Sequence, residues 1–297
     1  MTPKYPIILA HGIARFDFLT EALLDRLNLL LIDWRAPFDR FHYFKGIRTH
    51  LGRHDFDAHT THVNFAGHVS NRAADLRQEV LRVLDKTKAD KVHIIAHSMG
   101  GLDSRYMLVE YPDTAVQVAS LTTIGTPRLG TLIADVRLEQ WAAAWINTLH
   151  PALALDGFKD ITTTAMATFN ERARNLEARN HVIYRVYASQ QEYETTFSLI
   201  KRAWQILQEA EGPNDGLVSV RSQHWVPELI GDDGIRKTIH RYLFPVPADH
   251  LNQIGWWDLS ELRRMKWWQF NLRKEKRAYE ARIRDVYLDI ARQVTGP

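Results

Sequence analysis

Val92-His93-Ile94-Ile95-Ala96-His97-Ser98-Met99-Gly100-Gly101-Leu102 decides how the rest of the chain is read. Val92–Ala96 is a short apolar, β-branched run of strand length, and Leu102–Glu110 has the pattern of a helix that stops before Pro112. Between them lies a serine with a small residue two positions before it, Ala96, and another two after it, Gly100. A strand, a sharp turn, a serine at its tip and then a helix form the setting of a nucleophile elbow, where bulky neighbours would collide with the returning backbone. The pattern is small-x-Ser-x-Gly rather than strict Gly-x-Ser-x-Gly, and alanine still meets the steric requirement. The helix would point its N-terminus at the serine, where developing negative charge is favoured. The plain alternative is a serine that merely caps a helix. The strand before it and the Gly-Gly after it favour the nucleophile.

The same alternation continues outward. Ile7–Ala10 reads as a buried strand ending at His11-Gly12, and Arg72–Thr87 carries Ala73, Leu76, Val80, Val83 and Leu84 on one helical face. Val118–Ile124 and Val182–Ala188 are two further strand candidates. Strand–helix alternation predicts an α/β fold, a mostly parallel central sheet with helices on both faces. Gly130–Asn180 breaks the rhythm, with Trp141, Trp145, Ile146, Leu149, Leu153, Leu155 and Phe158 at mostly helical spacing. Periodicity leaves two readings of it, core helices or a cap inserted over the sheet. Near the end, Tyr279, Ile283, Val286, Ile290 and Val294 line one helical face, preceded by Arg273, Lys274, Lys276 and Arg277. A helix docked on the domain is the first reading. Attraction to an anionic lipid surface, helped by Trp267, Trp268 and Phe270, is the second.

Composition narrows the chemistry. The 297 residues allow one large α/β domain or two ordinary ones. Thirty-eight Lys and Arg against 35 Asp and Glu give a net charge of only +3, so no general case for nucleic-acid binding arises. The chain contains no cysteine, which removes disulfides, thiolate nucleophiles and Cys-based metal sites. No apolar run approaches the length of a spanning helix, since Leu23–Trp34 is broken by Asp25, Arg26, Asn28 and Asp33. The N-terminus lacks a signal-peptide pattern. With the missing cysteines it points to the cytoplasm, a trimmed secreted form being the other reading.

A serine hydroxyl needs a base to take its proton, and the base needs an orienting acid. In hydrolases with this elbow the order along the chain is Ser, acid, His. Asp215 lies in Asn214-Asp215-Gly216, a turn that can present a side chain to a site, and is the best acid. Three histidines follow it: His224, His240 and His250. His250 sits in the proline-stiffened loop Pro245–Leu251, His240 falls in an expected helix, and His224 is close to Asp215 in sequence. His250 is therefore the preferred base. An oxyanion hole would draw one backbone N–H from Met99 and another from the loop His11-Gly12-Ile13.

Taken together, Tyr5–Gly12, Ala96–Tyr106, Gly125–Thr131, Asn214–Val218 and Asp249-His250-Leu251 resemble the bacterial triacylglycerol lipases of the α/β-hydrolase superfamily in order and placement. The resemblance runs from Tyr5 to about Gly255 and is weak in Phe16–His62 and Leu132–Asn180. It implies Ser98 as nucleophile, His250 as base and acid, and Asp215 as orienting carboxylate, with Ile13 and Met99 as the oxyanion N–H donors. It also implies one catalytic domain over 1–297, with a helical lid inserted at about 130–180 and its helix near Leu138–Leu149. The activity implied is hydrolysis of acyl esters such as acylglycerols, with transient contact at a lipid interface. The same acyl-enzyme chemistry would serve thioester, polyester or lactone hydrolysis, or acyl transfer. A non-catalytic lipid-surface protein is the rival from another class. Many relatives of this type hold a structural calcium through an aspartate two residues after the catalytic His. Here that position is Asn252, a neutral and weaker ligand, with Glu192 and Glu194 only loosely placed as further ligands, so the expectation is no cofactor and no metal, a structural calcium being the alternative.

Overall fold

The computed structural model describes residues 5–12, 43–61, 63, 67–136, 156–256 and 271–296. Ile7–Ala10 forms strand β1, and its residues divide between two apolar layers: Ile7 and Leu9 face one, Ile8 and Ala10 the other. A strand buried on both faces needs a continuous apolar run, which is what this segment offers. The chain continues through α1 (Ile47–Gly52), β2 (Ala58–Thr60), α2 (Val69–Thr87), β3 (Val92–His97), α3 (Met99–Glu110) and β4 (Val118–Ile124). After these come α4 (Thr163–Arg179), β5 (Ile183–Ala188), α5 (Lys201–Ala210), the hairpin strands β6 (Glu228–Ile230) and β7 (Arg236–Thr238), β8 (His240–Leu243), and α6 (Asn271–Thr295).

The main sheet has the order β2-β1-β3-β4-β5-β8, and every neighbouring pair is parallel. The chain leaves β1 toward β2 on one side and returns to β3 on the other. The crevice beyond the carboxyl ends of β1 and β3 is thus a topological switch point, where open α/β sheets bind their ligands. One face of the sheet is covered by α2 and α3, through Leu76, Val80, Val83, Met107 and Leu108. The other is covered by α1 and α6, through Ile47, Leu51, Ile283, Tyr287 and Ile290, with Phe44 just before α1.

The expected strands match within a residue, and α2 begins three residues earlier than the periodicity predicted. The helix after Ser98 starts at Met99, because Gly100 and Gly101 are its first turn and not a linker to it. His240 is not helical: it opens β8, the edge strand paired with β5. Four residues are too few for periodicity to separate helix from strand, and tertiary pairing decides. Within Gly130–Asn180, Thr163–Arg179 is a core helix whose Met166, Phe169 and Ala173 are buried with Met99 and Leu102. The stretch 137–155, with the expected lid helix Leu138–Leu149, lies outside the described residues. For α6 the docked reading describes the structure, since Tyr279, Ile283, Val286, Ile290 and Val294 are all buried. Trp267, Trp268 and Phe270 lie outside the described residues.

Two buried ion pairs fix the helices around the elbow. Arg72 of α2 makes two hydrogen bonds to Asp103 of α3, at 2.9 and 2.6 Å. Arg105 of α3 makes two to Glu177 of α4, at 2.9 and 2.7 Å, with Trp225 stacked 4.1 Å from its guanidinium. Arg105 and Glu177 are both fully buried. Glu177→Ala leaves the guanidinium without its counter-charge and is expected to lower the unfolding free energy by about 3–5 kcal/mol. Urea denaturation would show it as a lower midpoint, while Arg105→Met with Glu177→Leu should recover most of the loss.

Candidate active site

Ser98 sits at the carboxyl end of β3 with φ 55° and ψ −132°, a conformation that non-glycine residues rarely adopt. Its neighbours hold it there. The Ser98 N–H donates to the Ile124 carbonyl at 2.9 Å, and the Thr126 hydroxyl donates to the Ser98 carbonyl at 2.8 Å. A Cβ on Gly100 would come within 2.5 Å of the Ala10 oxygen and 2.6 Å of the His11 oxygen. Only glycine lets α3 approach the end of β1 so closely. A Cβ on Gly12 would lie 2.8 Å from the Ser98 Cβ, so a second glycine opens the space beside the serine.

His250 Nε2 lies 2.8 Å from Ser98 Oγ, and His250 Nδ1 lies 2.8 Å from Asp215 Oδ2. Asp215 comes from the turn predicted for Asn214-Asp215-Gly216, with Gly216 at φ 94°. Its Oδ1 accepts the Leu217 and Val218 N–H groups at 3.0 and 2.8 Å, and its backbone carbonyl accepts the His250 N–H at 2.8 Å. Asp215 is fully buried and His250 nearly so. A carboxylate held in this way fixes the imidazole tautomer and leaves Nε2 to accept a proton from the hydroxyl. The other two histidines stand elsewhere. His224 Nε2 bonds the Tyr242 carbonyl at 3.2 Å, and His240 is exposed on the edge strand.

Met99 is the first residue of α3, where a backbone N–H has no acceptor within the helix. His11-Gly12 closes β1 beside the serine. Ile13, the second expected donor, lies outside the described residues.

Four further polar residues surround the site; His97 and Asp249 lie within the quoted motifs without a role assigned there, and Tyr43 and Gln253 lie outside them. Gln253 donates from Nε2 to Asp215 Oδ2 at 2.9 Å and meets His97 Nε2 through Oε1 at 2.9 Å. Tyr43 lies 2.6 Å from His97 Nδ1. Burial, and then the nearby His250, hold the His97 imidazole well below its usual pKa, so it is neutral. Asp249 is buried beside the histidine and pushed up to about 7 by desolvation, against three backbone N–H donors from Phe197, Leu251 and Asn252.

The side chains around Asn252 are engaged with the histidine loop itself. The Asn252 amide donates to the Trp256 carbonyl at 2.8 Å and accepts the Asp249 N–H at 3.3 Å. Glu192 and Glu194 are exposed. Among the described residues no group of three His, Cys, Asp or Glu side chains is disposed to hold a metal ion.

Residues 5–206 match the family model described as the alpha/beta hydrolase fold. Triacylglycerol lipase 2 of Saccharomyces cerevisiae is 28% identical over 281 residues, covering 86% of this chain and 81% of that protein. Triacylglycerol lipases of Pseudarthrobacter phenanthrenivorans and Burkholderia plantarii are each 34% identical over 192 residues, 56% of this chain. The match spans about half of each bacterial relative, 53% and 47% respectively. Among solved structures, a Bacillus licheniformis lipase in mature form superposes with a TM-score of 0.62 at 18% identity, covering 84% of this chain and 86% of that one. A metagenomic carboxyl esterase gives the same TM-score at 18% identity, over 85% of this chain and 66% of its own. These two show the shared fold. The elbow, the parallel sheet and the family match agree: the chain belongs to the alpha/beta hydrolase fold family.

Proposed function

We propose that the protein is a serine carboxylic-ester hydrolase acting on acyl esters such as acylglycerols, by way of an acyl-enzyme. The observation that carries this reading is the unbroken hydrogen-bonded chain from Ser98 Oγ through His250 to Asp215, set at the switch point of the sheet. The lipases among its relatives support the substrate class.

In this mechanism Ser98 Oγ attacks the acyl carbonyl while His250 Nε2 takes its proton. The carbonyl oxygen becomes an oxyanion, stabilised by the N–H of Met99 and that of Ile13, and the dipole of α3 points the same way. His250 then gives the proton to the leaving alcohol as the tetrahedral adduct collapses. Water, deprotonated by the same nitrogen, attacks the acyl-serine and releases the acid. Asp215 stays ionised throughout and balances the imidazolium.

Contact with a lipid interface belongs to this reading. The Trp- and Leu-rich sequence Leu138–Leu149, with Trp141 and Trp145, supports it, because such side chains are unfavourable on a permanently exposed surface. We also propose that calcium has no part in the fold or turnover. Asn252 supports this, since its amide already ties the histidine loop to Trp256.

A fluorophosphonate probe should label Ser98, and Ser98→Ala should abolish labelling while the fold persists. Turnover of p-nitrophenyl esters should fall by about three orders of magnitude or more in that variant. Near wild-type hydrolysis by it would end the assignment. Asp215→Asn should lower kcat by about 10³–10⁴-fold with little change in KM, because the wrong imidazole tautomer is then held. Along a p-nitrophenyl series, rates should rise from acetate to longer acyl chains and gain further with an emulsion; a flat preference for acetate would mark a plain esterase. Treatment with EDTA should leave both activity and melting temperature unchanged, whereas a loss reversed by added calcium would overturn the metal-free reading.

A further inference from the structure

Behind the Ser98–His250–Asp215 chain runs a second hydrogen-bonded row, Tyr43–His97–Gln253, that the mechanism above leaves without a task. Its direction follows from the carboxylate. Asp215 can only accept, so the Gln253 amide must turn its NH2 toward Oδ2 and its carbonyl toward His97. That carbonyl also can only accept, so neutral His97 carries its proton on Nε2 and offers Nδ1 as an acceptor. The Tyr43 hydroxyl must then donate to Nδ1. The Tyr43 hydroxyl packs against Gly12, where a Cβ would come within 2.6 Å of its oxygen. Every polar atom along the row has one consistent role.

The place for Gln253 is built into the fold. The residue is fully buried on the short 3₁₀ turn Asn252–Ile254 that follows His250. Opposite it stands Gly125, at φ 60°, where a Cβ would come within 2.2 Å of Gln253 Oε1 and 3.2 Å of Asp215 Oδ2. A side chain at position 125 would expel the amide. The row also spans the machinery from end to end: Gly12 leads into the expected oxyanion loop, His97 precedes the nucleophile, and Gln253 touches the acid. The His97 ring lies 4.6 Å from that of His250, close enough that a cation there would oppose formation of the imidazolium. Burial keeps it neutral.

We propose that Gln253 is a positioning residue for the hydrolysis, and that the hydrogen-bonded row Tyr43–His97–Gln253 links the Asp215 carboxylate to a tyrosine hydroxyl packed against Gly12, setting general base and oxyanion loop relative to one another. The proposal rests on the triad reading given above. Gln253 shares Asp215 Oδ2 with His250 and disperses its negative charge. Removing the amide leaves that oxygen to the imidazole alone, so the protonated base is held more strongly and is a poorer acceptor at low pH. Oδ1 keeps its two backbone donors, so the turn that presents the carboxylate is unchanged.

The test uses the full chain with Gln253→Met, similar in length but without a donor, with Tyr43→Phe, and with both together. Gln253→Met should lower kcat by about 10–100-fold with KM within about twofold, the scale seen when the partner that orients an active-site ligand is removed. The low-pH limb of kcat/KM should move to higher pH. Tyr43→Phe should lower kcat and weaken inhibition by an alkyl boronic acid, which forms a tetrahedral adduct on the serine and reads the oxyanion donors. The double variant should lose little more than the worse single one, since the row acts as a unit. Gln253→Glu keeps the size and sets a second carboxylate against Asp215. It should move the limb the same way and further, and it carries the test if the Met variant does not fold. Folded Gln253 variants with wild-type kcat and an unmoved pH profile would overturn the proposal, as would losses from Tyr43→Phe and Gln253→Met that simply multiply. Those results are separate from failure of the triad itself, which would appear as turnover and probe labelling surviving Ser98→Ala.

Discussion

The turn at Ser98 is the constraint from which the rest of the molecule follows. A non-glycine residue at φ 55° costs about 1–3 kcal/mol and persists only where its surroundings over-determine it. Here β4 does so from one side, through the Ile124 carbonyl and the Thr126 hydroxyl. From the other side the end of β1 comes so near that position 100 has no room for a Cβ. The pairing of Ala10 with Ala96 is what sets that approach, so the register of β1 on β3 and the exposure of the serine are one decision. The turn in turn aims the first amides of α3 at the space beside Oγ. A relaxed serine would bend the chain more gently and lose that alignment.

Burial of charge around the elbow obeys the same logic. Asp103 and Arg105 lie within α3 itself, and each is paired with an opposite charge, Arg72 from α2 and Glu177 from α4. Such pairs add little net stability against apolar replacements, because desolvation offsets most of the attraction. Their geometric effect is larger. A bidentate contact tolerates neither sliding nor rotation of the helices it joins, and here two of them hold the helix whose first residue follows Ser98. Among the described residues Arg128 forms no salt bridge; it bonds the Thr123 hydroxyl and faces Trp225, and burial pushes it down to about 9.

What the sequence displays and what it hides divide by the range of the interaction. Ile7–Ala10 announces itself as a continuous apolar run, and Val92–His97 and Val118–Ile124 as short β-branched segments, because a strand buried on both faces is mostly apolar. The elbow and the Asn214-Asp215-Gly216 turn are local geometries with local steric demands, and Gly100 and Gly216 meet them within a few residues. His240 reads poorly because a four-residue edge strand depends on β5, not on its own pattern. Gln253 and Tyr43 are hidden for a stronger reason. Their partners are 38 and 54 positions away in sequence, and a glutamine or tyrosine in a loop has no neighbour that marks it as buried. The one trace is Gly125, whose positive φ and missing Cβ make the space that Gln253 fills.

The loop bearing His250 raises the question of what holds a histidine still when the chain around it is neither helix nor strand. Three kinds of hydrogen bond converge on it. Its own N–H is bound to the Asp215 carbonyl. The Asp249 carboxyl gathers the N–H groups of Phe197, Leu251 and Asn252, joining the loop to the segment after β5. The Asn252 amide reaches forward to Trp256, whose indole N–H donates to the Tyr43 carbonyl at 3.3 Å. Tyr43 in turn reaches His97 beside the nucleophile. The loop is therefore closed on itself by amides and a carboxyl. Neutral donors suit this position, because an added positive charge so near His250 would disfavour the imidazolium on which acyl transfer depends.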